Sequence, residues 1–478
     1  MMNKFERSRR QFLRTASMAS MAGISASPFI LGLNSMAAMA QSSSSSGYRA
    51  LVCVFLQGGN DGHGTVIATD PSSFSAFTQA RSGAPGLAYP QAELLPIVLK
   101  TPQSGRTFAL NPALTGVQNL FNAGRVAIVA NTGTLIAPAT KAQVNASSVP
   151  LPASLFSHFD QTAAWQAIAS NGGSAEHVGW GGAVADLIES MNMNSNSMFT
   201  CISTAGIALF LSGQTSFQLN VTSAGPIPIY GLAQPPFGLS ASPNTLHDIL
   251  SADESNLFAK EYGVVVNRSI EAQATLASCM LPAGKGGVPN PPQYLDPMTK
   301  KLTDNPLATS MQTVARIIGG SSGLGVTRQI FYVQLGSFDT HNNQAIQHAQ
   351  LLTQLGEALE YFDGTMVAAG LGNQVTTFTA SDFGRTLTSN SNGTDHGWGS
   401  HHFVVGGAVQ GQDMYGQYPV IGANQANDVG AGRLIPTTSV DQYAGTLARW
   451  FGLSDGQVRQ VFPNFGNFGS SPYLGFMG

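Results

Sequence analysis

Charge of either sign is scarce. Only 10% of the 478 residues are charged, and 22 Lys and Arg against 25 Asp and Glu leave a net of −3. Nucleic-acid affinity rests on clustered Lys and Arg neutralising phosphates, so a chain with no basic surplus argues against that partner. Cysteine is scarce too: Cys53, Cys201 and Cys279 cannot build the dense disulfide framework of a small secreted domain. Cys53 lies in an apolar strand pattern, where it reads as a small buried hydrophobe. Cys201–Cys279 is a candidate disulfide that the odd count disfavours. Long apolar runs are missing as well. The stretch Met18 to Met36 is interrupted by Ser20, Gly23, Ser25, Ser27, Pro28 and Gly32, whereas a spanning helix needs ~20 strongly apolar residues, so no transmembrane segment is expected in the mature chain. What is plentiful is glycine, 54 residues, and apolar side chains, 43%, enough for a large core in one big domain or two.

The first forty residues read as an address. Charges from Lys4 to Arg14 precede the weakly apolar stretch, which ends in Ala38-Met39-Ala40, the order of a cleavable signal. Within it Ser8-Arg9-Arg10-Gln11-Phe12-Leu13 has the two adjacent arginines of a twin-arginine signal. The expectation is a signal peptide over 1–40, export by the twin-arginine machinery to the periplasm with onward secretion left open, and a flexible mature start over 41–47 containing Ser42 to Ser46. Residues 48–478 are expected to form a single domain. Losing residues 1–40 removes five Lys/Arg and one Asp/Glu, leaving 17 against 24, a net of −7.

Tyr48 to Leu56 is a short continuous apolar run that ends in Gln57-Gly58-Gly59-Asn60-Asp61-Gly62, a buried parallel strand running into a glycine-rich loop. The same grammar recurs at Arg125 to Ala130, Gln329 to Leu335 and Gln374 to Thr379. Helical spacing marks Gly179 to Ser190, Ala252 to Met280, Pro306 to Ile318 and Asn342 to Ala369. Strands alternating with helices predict an α/β fold with a mostly parallel central sheet and helices on both faces. Ligands in such sheets gather beyond the carboxyl ends of the strands. Thr200 to Ile229 reads as β-rich structure within an insertion around 195–300, and Pro282 to Gln293 as a surface loop. Gly319 to Gly325 precedes a strand instead of opening a helix, which makes it a poor nucleotide loop.

Ligand-type side chains follow the strands: Asp61 in the first loop, Asp339 and His341 in Ser337-Phe338-Asp339-Thr340-His341, Asp382 after the fourth strand, then Asp395 and His396, with His401 and His402 close by. Carboxylates and neutral imidazoles hold zinc, manganese or iron, and a carboxylate-rich set also suits calcium or magnesium. Each aspartate taken singly also reads as a turn former or helix cap. Their joint placement at strand ends predicts a metal site. His63 and His177 read as surface or core histidines.

The order Gly58-Gly59-Asn60-Asp61-Gly62, Phe338-Asp339-Thr340-His341, then Ser381-Asp382-Phe383-Gly384-Arg385 with Thr394-Asp395-His396-Gly397 resembles a bacterial family of twin-arginine-exported proteins, domain of unknown function 1501, related to the alkaline phosphatase and sulfatase superfamily. The resemblance spans the mature chain, including Ser157-His158-Phe159-Asp160-Gln161, Gly179-Trp180-Gly181-Gly182 and Ala448-Arg449-Trp450-Phe451-Gly452. It implies an alkaline-phosphatase-like sandwich with one or two divalent ions (zinc, manganese or calcium) that hydrolyses a small anionic ester, phosphate or sulfate. Asp61, Asp339, His341, Asp382, Asp395 and His396 are then the metal set. Two departures stand out. Asp382 is followed by Phe383 where the superfamily has histidine, so His396 has to supply that imidazole, and no Ser, Thr or Cys stands in a recognisable nucleophile context. Ser157, beside His158 and Asp160, is the best nucleophile candidate, although it also suits a helix cap. Arg385 is either a clamp for an anionic oxygen pair or a structural ion pair. The missing nucleophile keeps a catalytically inactive metal-binding or scaffold protein of the envelope, or of a secreted assembly, as the alternative. A structural surface protein without metal is the third reading.

Overall fold

Successive residues of the first strand, β1 (Arg49–Leu56), point to opposite sides of a sheet, and both sides are dry: Ala50, Val52, Val54 and Leu56 enter one core, Leu51, Cys53 and Phe55 the other. A strand reads as an unbroken apolar run when both of its faces are covered. The computed structural model describes residues 47–103, 105–167, 178–228, 231–232, 245–250, 256–422 and 424–478. The expected leader over 1–40, the serines of 42–46, His177 and the first turn of the helix expected from Ala252 lie outside the described residues.

The remaining strands of the central sheet are β2 (Val126–Gly133), β3 (Cys201–Ser203), β4 (Gln218–Thr222), β5 (Gly225–Pro226), β6 (Arg328–Leu335), β7 (Val375–Ser381), β8 (Ser400–Val405), β9 (Asp413–Tyr415) and β10 (Thr438–Ser439). Their order is β9-β2-β8-β7-β1-β6-β3-β4-β5, with β10 beside β2. β1 pairs in parallel with β6 on one side and β7 on the other, in unbroken register. β8 runs against β7 and β2, and β5 against β4; the other pairs are parallel. The fold is the mixed α/β sandwich the sequence predicts. The β-rich stretch after Thr200 becomes β3 to β5 and extends the edge of this same sheet.

Around the sheet and its loops pack α1 (Pro71–Arg81), α2 (Thr115–Asn122), α3 (His158–Ala167), α4 (Trp180–Ser190), α5 (Leu257–Cys279), α6 (Pro306–Gly319), α7 (Gln344–Ala368) and α8 (Val440–Phe451). One face is covered by α2, α6 and α7 through Val117, Met311, Val314, Leu352, Leu355, Leu359 and Phe362. The other is covered by α3, α4 and α8 through Trp165, Trp180, Val184, Tyr443 and Leu447. The Cys201–Cys279 bridge does not form: all three cysteines are free, with Cys201 sealed in β3 and Cys279 partly exposed at the end of α5. Gly319 to Gly325 ends α6 and reverses the chain into β6 through Gly325 at φ +69°. Among the described residues no helix is long and apolar enough to cross a membrane.

Because β1, β6 and β7 are parallel neighbours, the loops after Leu56, Leu335 and Ser381 emerge together at one edge. The candidate site lies there.

Candidate metal centre

Two glycines let these loops touch. Gly58 has φ +114°, and a Cβ there would stand 2.4 Å from the Asp339 backbone nitrogen; Gly59 has φ +82°, and a Cβ would meet the Phe383 ring at 2.4 Å. Only glycine takes such angles without steric cost. Gly58 N donates to Asp382 Oδ1 at 3.0 Å while Gly58 O accepts from Arg385 Nη1 at 3.0 Å, and the neighbouring Gln57 O accepts from Phe338 N at 3.0 Å, so the β1 loop ties those of β6 and β7 together. Gly58→Ala is expected to destabilise the fold by more than about 1–2 kcal/mol, the cost of a left-handed L-residue alone, read by denaturant titration; an unchanged midpoint would show that the loops yield.

Three histidines meet around Asp339. His158 opens α3, His341 follows β6, and His396 closes a hairpin formed by Arg385–Ser389 and Thr394–His396. Each ring has its Nδ1 tied back to an oxygen: His158 to Asp382 Oδ2 at 2.7 Å, His341 to Asp395 Oδ1 at 3.0 Å, His396 to the Phe156 carbonyl at 2.8 Å. An imidazole whose Nδ1–H donates backward keeps a bare lone pair on Nε2. All three Nε2 atoms face the Asp339 carboxylate. Those of His341 and His396 lie 3.1 and 3.3 Å from Oδ1 and 2.9 Å from each other, and that of His158 lies 3.5 Å from Oδ2. His158 Nε2 is buried and has no hydrogen-bond partner. Lone pairs turned on one another at these distances repel unless a cation or a shared proton stands among them. Ligand-type atoms of His158, Asp339 and His396 all lie within 4.8 Å of one another, close enough for one divalent ion with bonds near 2.0–2.2 Å to draw them together, and His341 stands beside them at 3.1 Å from Asp339.

Phe383 explains the departure after Asp382. Its ring lies 4.8 Å from that of His158 and 4.7 Å from that of His396, an apolar wedge that fixes both imidazoles where a third would crowd them. The hydrogen bond that His158 donates to Asp382 raises its pKa, and burial lowers that of His396. Burial pushes the Asp339 carboxyl upward, but the Arg385 hydrogen bond and charge, with His341 and His158, bring it below the ordinary carboxylate value.

The structure redistributes the roles expected of the other residues. Asp382 Oδ2 and Asp395 Oδ1 meet Nδ1 of His158 and His341, on the far side of each ring from Nε2. Arg385 forms an ion pair with Asp339. It is fully enclosed, and its donors go to Gly58 O, to both oxygens of Thr394 and to Asp339 Oδ1 at 3.0 Å, which fixes Asp339. Asp61 is likewise spent: Arg81 Nη1 and Nη2 grip its two oxygens at 2.6 and 2.8 Å, Gln344 Nε2 donates at 2.7 Å and Gly64 N at 3.1 Å. No acceptor on that carboxylate is left to face a metal. Ser157 precedes α3; its hydroxyl donates to Asp160 Oδ2 at 2.7 Å and accepts from the Asp160 backbone N–H at 3.5 Å, the second contact being that of a helix cap. The sequence puts Ser157 forward as the reactive residue, with His158 only as its neighbour; the structure brings His158 to the centre, and its one sequence signal is the position directly after a helix-capping serine.

His63, His401 and His402 are all buried, outside the ligand cluster. Burial holds His63 and His348 at a pKa of about 4 and His402 at about 3. An unfolded histidine titrates near 6.5, so between that pH and 4 the unfolded chain binds protons that the folded one refuses. Stability therefore falls as pH drops through this window, by about 3 kcal/mol for each of His63 and His348. Denaturation midpoints at pH 7 and pH 4.5 test this, and His348→Gln should flatten the slope; equal midpoints would refute neutral burial.

A cavity of about 830 Å³ opens beside His158, Asp339 and Asp382, lined also by Phe55, Gln57, Phe159, Gln166, Ile207, Tyr332 and Gln334.

The family described as "Protein of unknown function (DUF1501)" matches residues 48–462. No curated protein matches the chain. Solved structures show a faint likeness. One, from work on the metabolism of multiple glycosaminoglycans by Bacteroides thetaiotaomicron, is 11% identical with a TM-score of 0.32, covering 87% of this chain and 75% of that one. Ps i-CgsB is 9% identical at 0.35, and its complex with k-i-k-neocarrahexaose 9% identical at 0.33, each covering 86% of this chain and 74% of that one.

Proposed function

We propose that this chain, which belongs to the DUF1501 family, is an exported metal-dependent hydrolase-like protein acting on a phosphate or sulfate ester in the periplasm. One observation carries the reading: three imidazoles, each tied back through Nδ1, present their Nε2 atoms to a single carboxylate. His158, Asp339 and His396, whose ligand-type atoms lie within 4.8 Å of one another, would hold the ion, with His341 beside Asp339 as a further donor. Three nitrogen donors and one carboxylate suit zinc or manganese, whereas calcium takes six to eight oxygens. A divalent ion held there supplies Lewis-acid polarisation of an ester oxygen.

The chain's own residues do the rest. Asp382 and Asp395 keep two imidazoles in the ligating tautomer. Arg385 locks the Asp339 carboxylate, and Phe383 keeps water off the back of the cluster. With Ser157 engaged as a cap, water is the attacking group, and the cavity is where the ester lies. Arg9 and Arg10 of the leader give the route out of the cytoplasm.

Metal analysis of protein purified after export, with hydrolysis of 4-nitrophenyl phosphate and sulfate, tests the proposal. The expected result is about one tightly held ion per chain, as a four-ligand site takes, with turnover that chelation abolishes. Bound metal without turnover supports the non-catalytic reading, which the capping role of Ser157 favours. Protein free of metal, with a melting temperature that chelators leave alone, sinks both.

A further inference from the structure

We infer that the part of the substrate lying in the cavity beside the metal centre is an uncharged, hydroxyl-bearing ring with an apolar face, such as a neutral glycoside presents, and not a polyanion. This rests on the hydrolase reading of the same site.

Charge decides the first half. Among the described residues no Lys or Arg lines the cavity, while Asp339 and Asp382 both border it. The Arg385 guanidinium, which touches Asp339, is enclosed and committed to Asp339, Gly58 and Thr394. An anionic group remote from the metal would therefore find two carboxylates and no cation, and a desolvated charge without a partner is costly. A substrate bearing several sulfates or carboxylates is excluded on that ground.

Chemistry of the lining decides the second half. Its polar groups form a ladder of neutral donors and acceptors. Gln334 Nε2 donates to Gln57 Oε1, Tyr332 OH to Gln334 Oε1 at 3.3 Å and Gln166 Nε2 to Tyr332 OH at 3.4 Å, while Gln166 Oε1 accepts from Phe210 N at 2.9 Å. The chain of bonds pre-orients the amides and leaves spare donors on Gln57 and Gln334. Such groups pair with hydroxyls and discriminate against charge. Opposite in character are Phe159 and Ile207, 84% and 83% exposed at the mouth. An aromatic face left in water beside a row of amides is complementary to a ring with one apolar face and hydroxyls on its edge. A plain acyl chain would leave the amide ladder unpaired.

The test is ligand binding to the metal-loaded mature protein, followed by saturation-transfer NMR. Cellobiose is the neutral probe, a disulfated chondroitin disaccharide the polyanion and octanoate the acyl chain. Cellobiose should bind most tightly of the three, and Phe159→Ala and Gln334→Leu should each weaken it by about fivefold or more, the size of effect that losing a contact worth about 1 kcal/mol produces, with metal content unchanged. Ile207→Lys should raise affinity for the chondroitin disaccharide. Tighter binding of the sulfated probe or of octanoate by the wild type overturns the inference, as does cellobiose binding indifferent to Phe159 and Gln334. Absence of metal or of ester turnover, with cellobiose selectivity intact, would instead fell the hydrolase reading and leave the recognition site standing.

Discussion

Replacing Asp339 with asparagine is expected to strip the metal and reduce ester hydrolysis by more than about a thousandfold, well beyond the 10–100-fold that removing an orienting partner of a ligating histidine costs. The asymmetry follows from position. Asp339 offers the one carboxylate that all three Nε2 atoms face, at 3.1, 3.3 and 3.5 Å, and it supplies the negative charge of the set. Asn keeps the shape and a carbonyl oxygen but loses that charge. The change also leaves Arg385, which is fully enclosed, without its 3.0 Å carboxylate partner, so the variant should be less stable as well. A fall in activity alone would therefore be ambiguous. Asp395→Asn separates the two effects, since it touches His341 Nδ1 from behind at 3.0 Å and leaves the Arg385–Asp339 pair intact. It should lose about 10–100-fold in metal affinity with little change in denaturation midpoint. Metal per chain by mass spectrometry and kcat/KM on an aryl phosphate or sulfate are the readouts. An Asp339→Asn protein that keeps its ion would remove Asp339 from the ligand set.

What the sequence reveals of this site depends on what a linear pattern can encode. The apolar runs of β1, β6 and β7 are visible because parallel strands buried on both faces need no polar alternation, and their shared direction puts the following loops at one edge. Asp339, His341 and His396 follow from that. The helix of α7 is visible for a similar reason: Leu351, Leu355, Leu359, Phe362 and Met366 keep the helical period against the core.

Partner choice is not encoded that way. Asp61 carries the same loop signal as Asp339, and nothing in GGNDG tells that Arg81 arrives from the last turn of α1 to occupy it. Arg385 looks free in Ser381-Asp382-Phe383-Gly384-Arg385, yet the chain bends at Asp382 and Gly384 bridges to Asn60, so that Arg385 reaches Gly58 O and Asp339. His158 sits more than 180 residues before the loops it joins, on a helix whose docking angle is a tertiary property. Phe383 reads as a lost ligand in the sequence and becomes a spacer between two rings in three dimensions.

Asp61 is where these two kinds of legibility collide, and Asp61→Ala should settle its role through stability instead of chemistry. The pair is buried at both ends, 1% exposed at Asp61 and 0% at Arg81. Burial pushes the Asp61 carboxyl upward, and the charge and two hydrogen bonds of Arg81 more than reverse this, holding it well below the usual carboxylate range. Removing one member strands the other charge in a dry interior, a loss of about 3–5 kcal/mol. Metal content should not change, since the Asp61 oxygens face Arg81, Gln344 and Gly64. Replacing both together, Asp61→Leu with Arg81→Met, should recover much of the loss, because an apolar pair of similar volume carries no desolvation cost. The pH dependence separates this pair from the histidines. A carboxyl with a depressed folded pKa stabilises the fold above its unfolded value near 3.9 and gives that up only as pH falls toward the folded value. The decline between pH 6.5 and 4 therefore belongs to the buried histidines His63, His348, His401 and His402, and it should persist in Asp61→Ala while the further loss below pH 4 shrinks. An Asp61→Ala protein of wild-type stability that has lost its ion would place Asp61 back among the metal ligands.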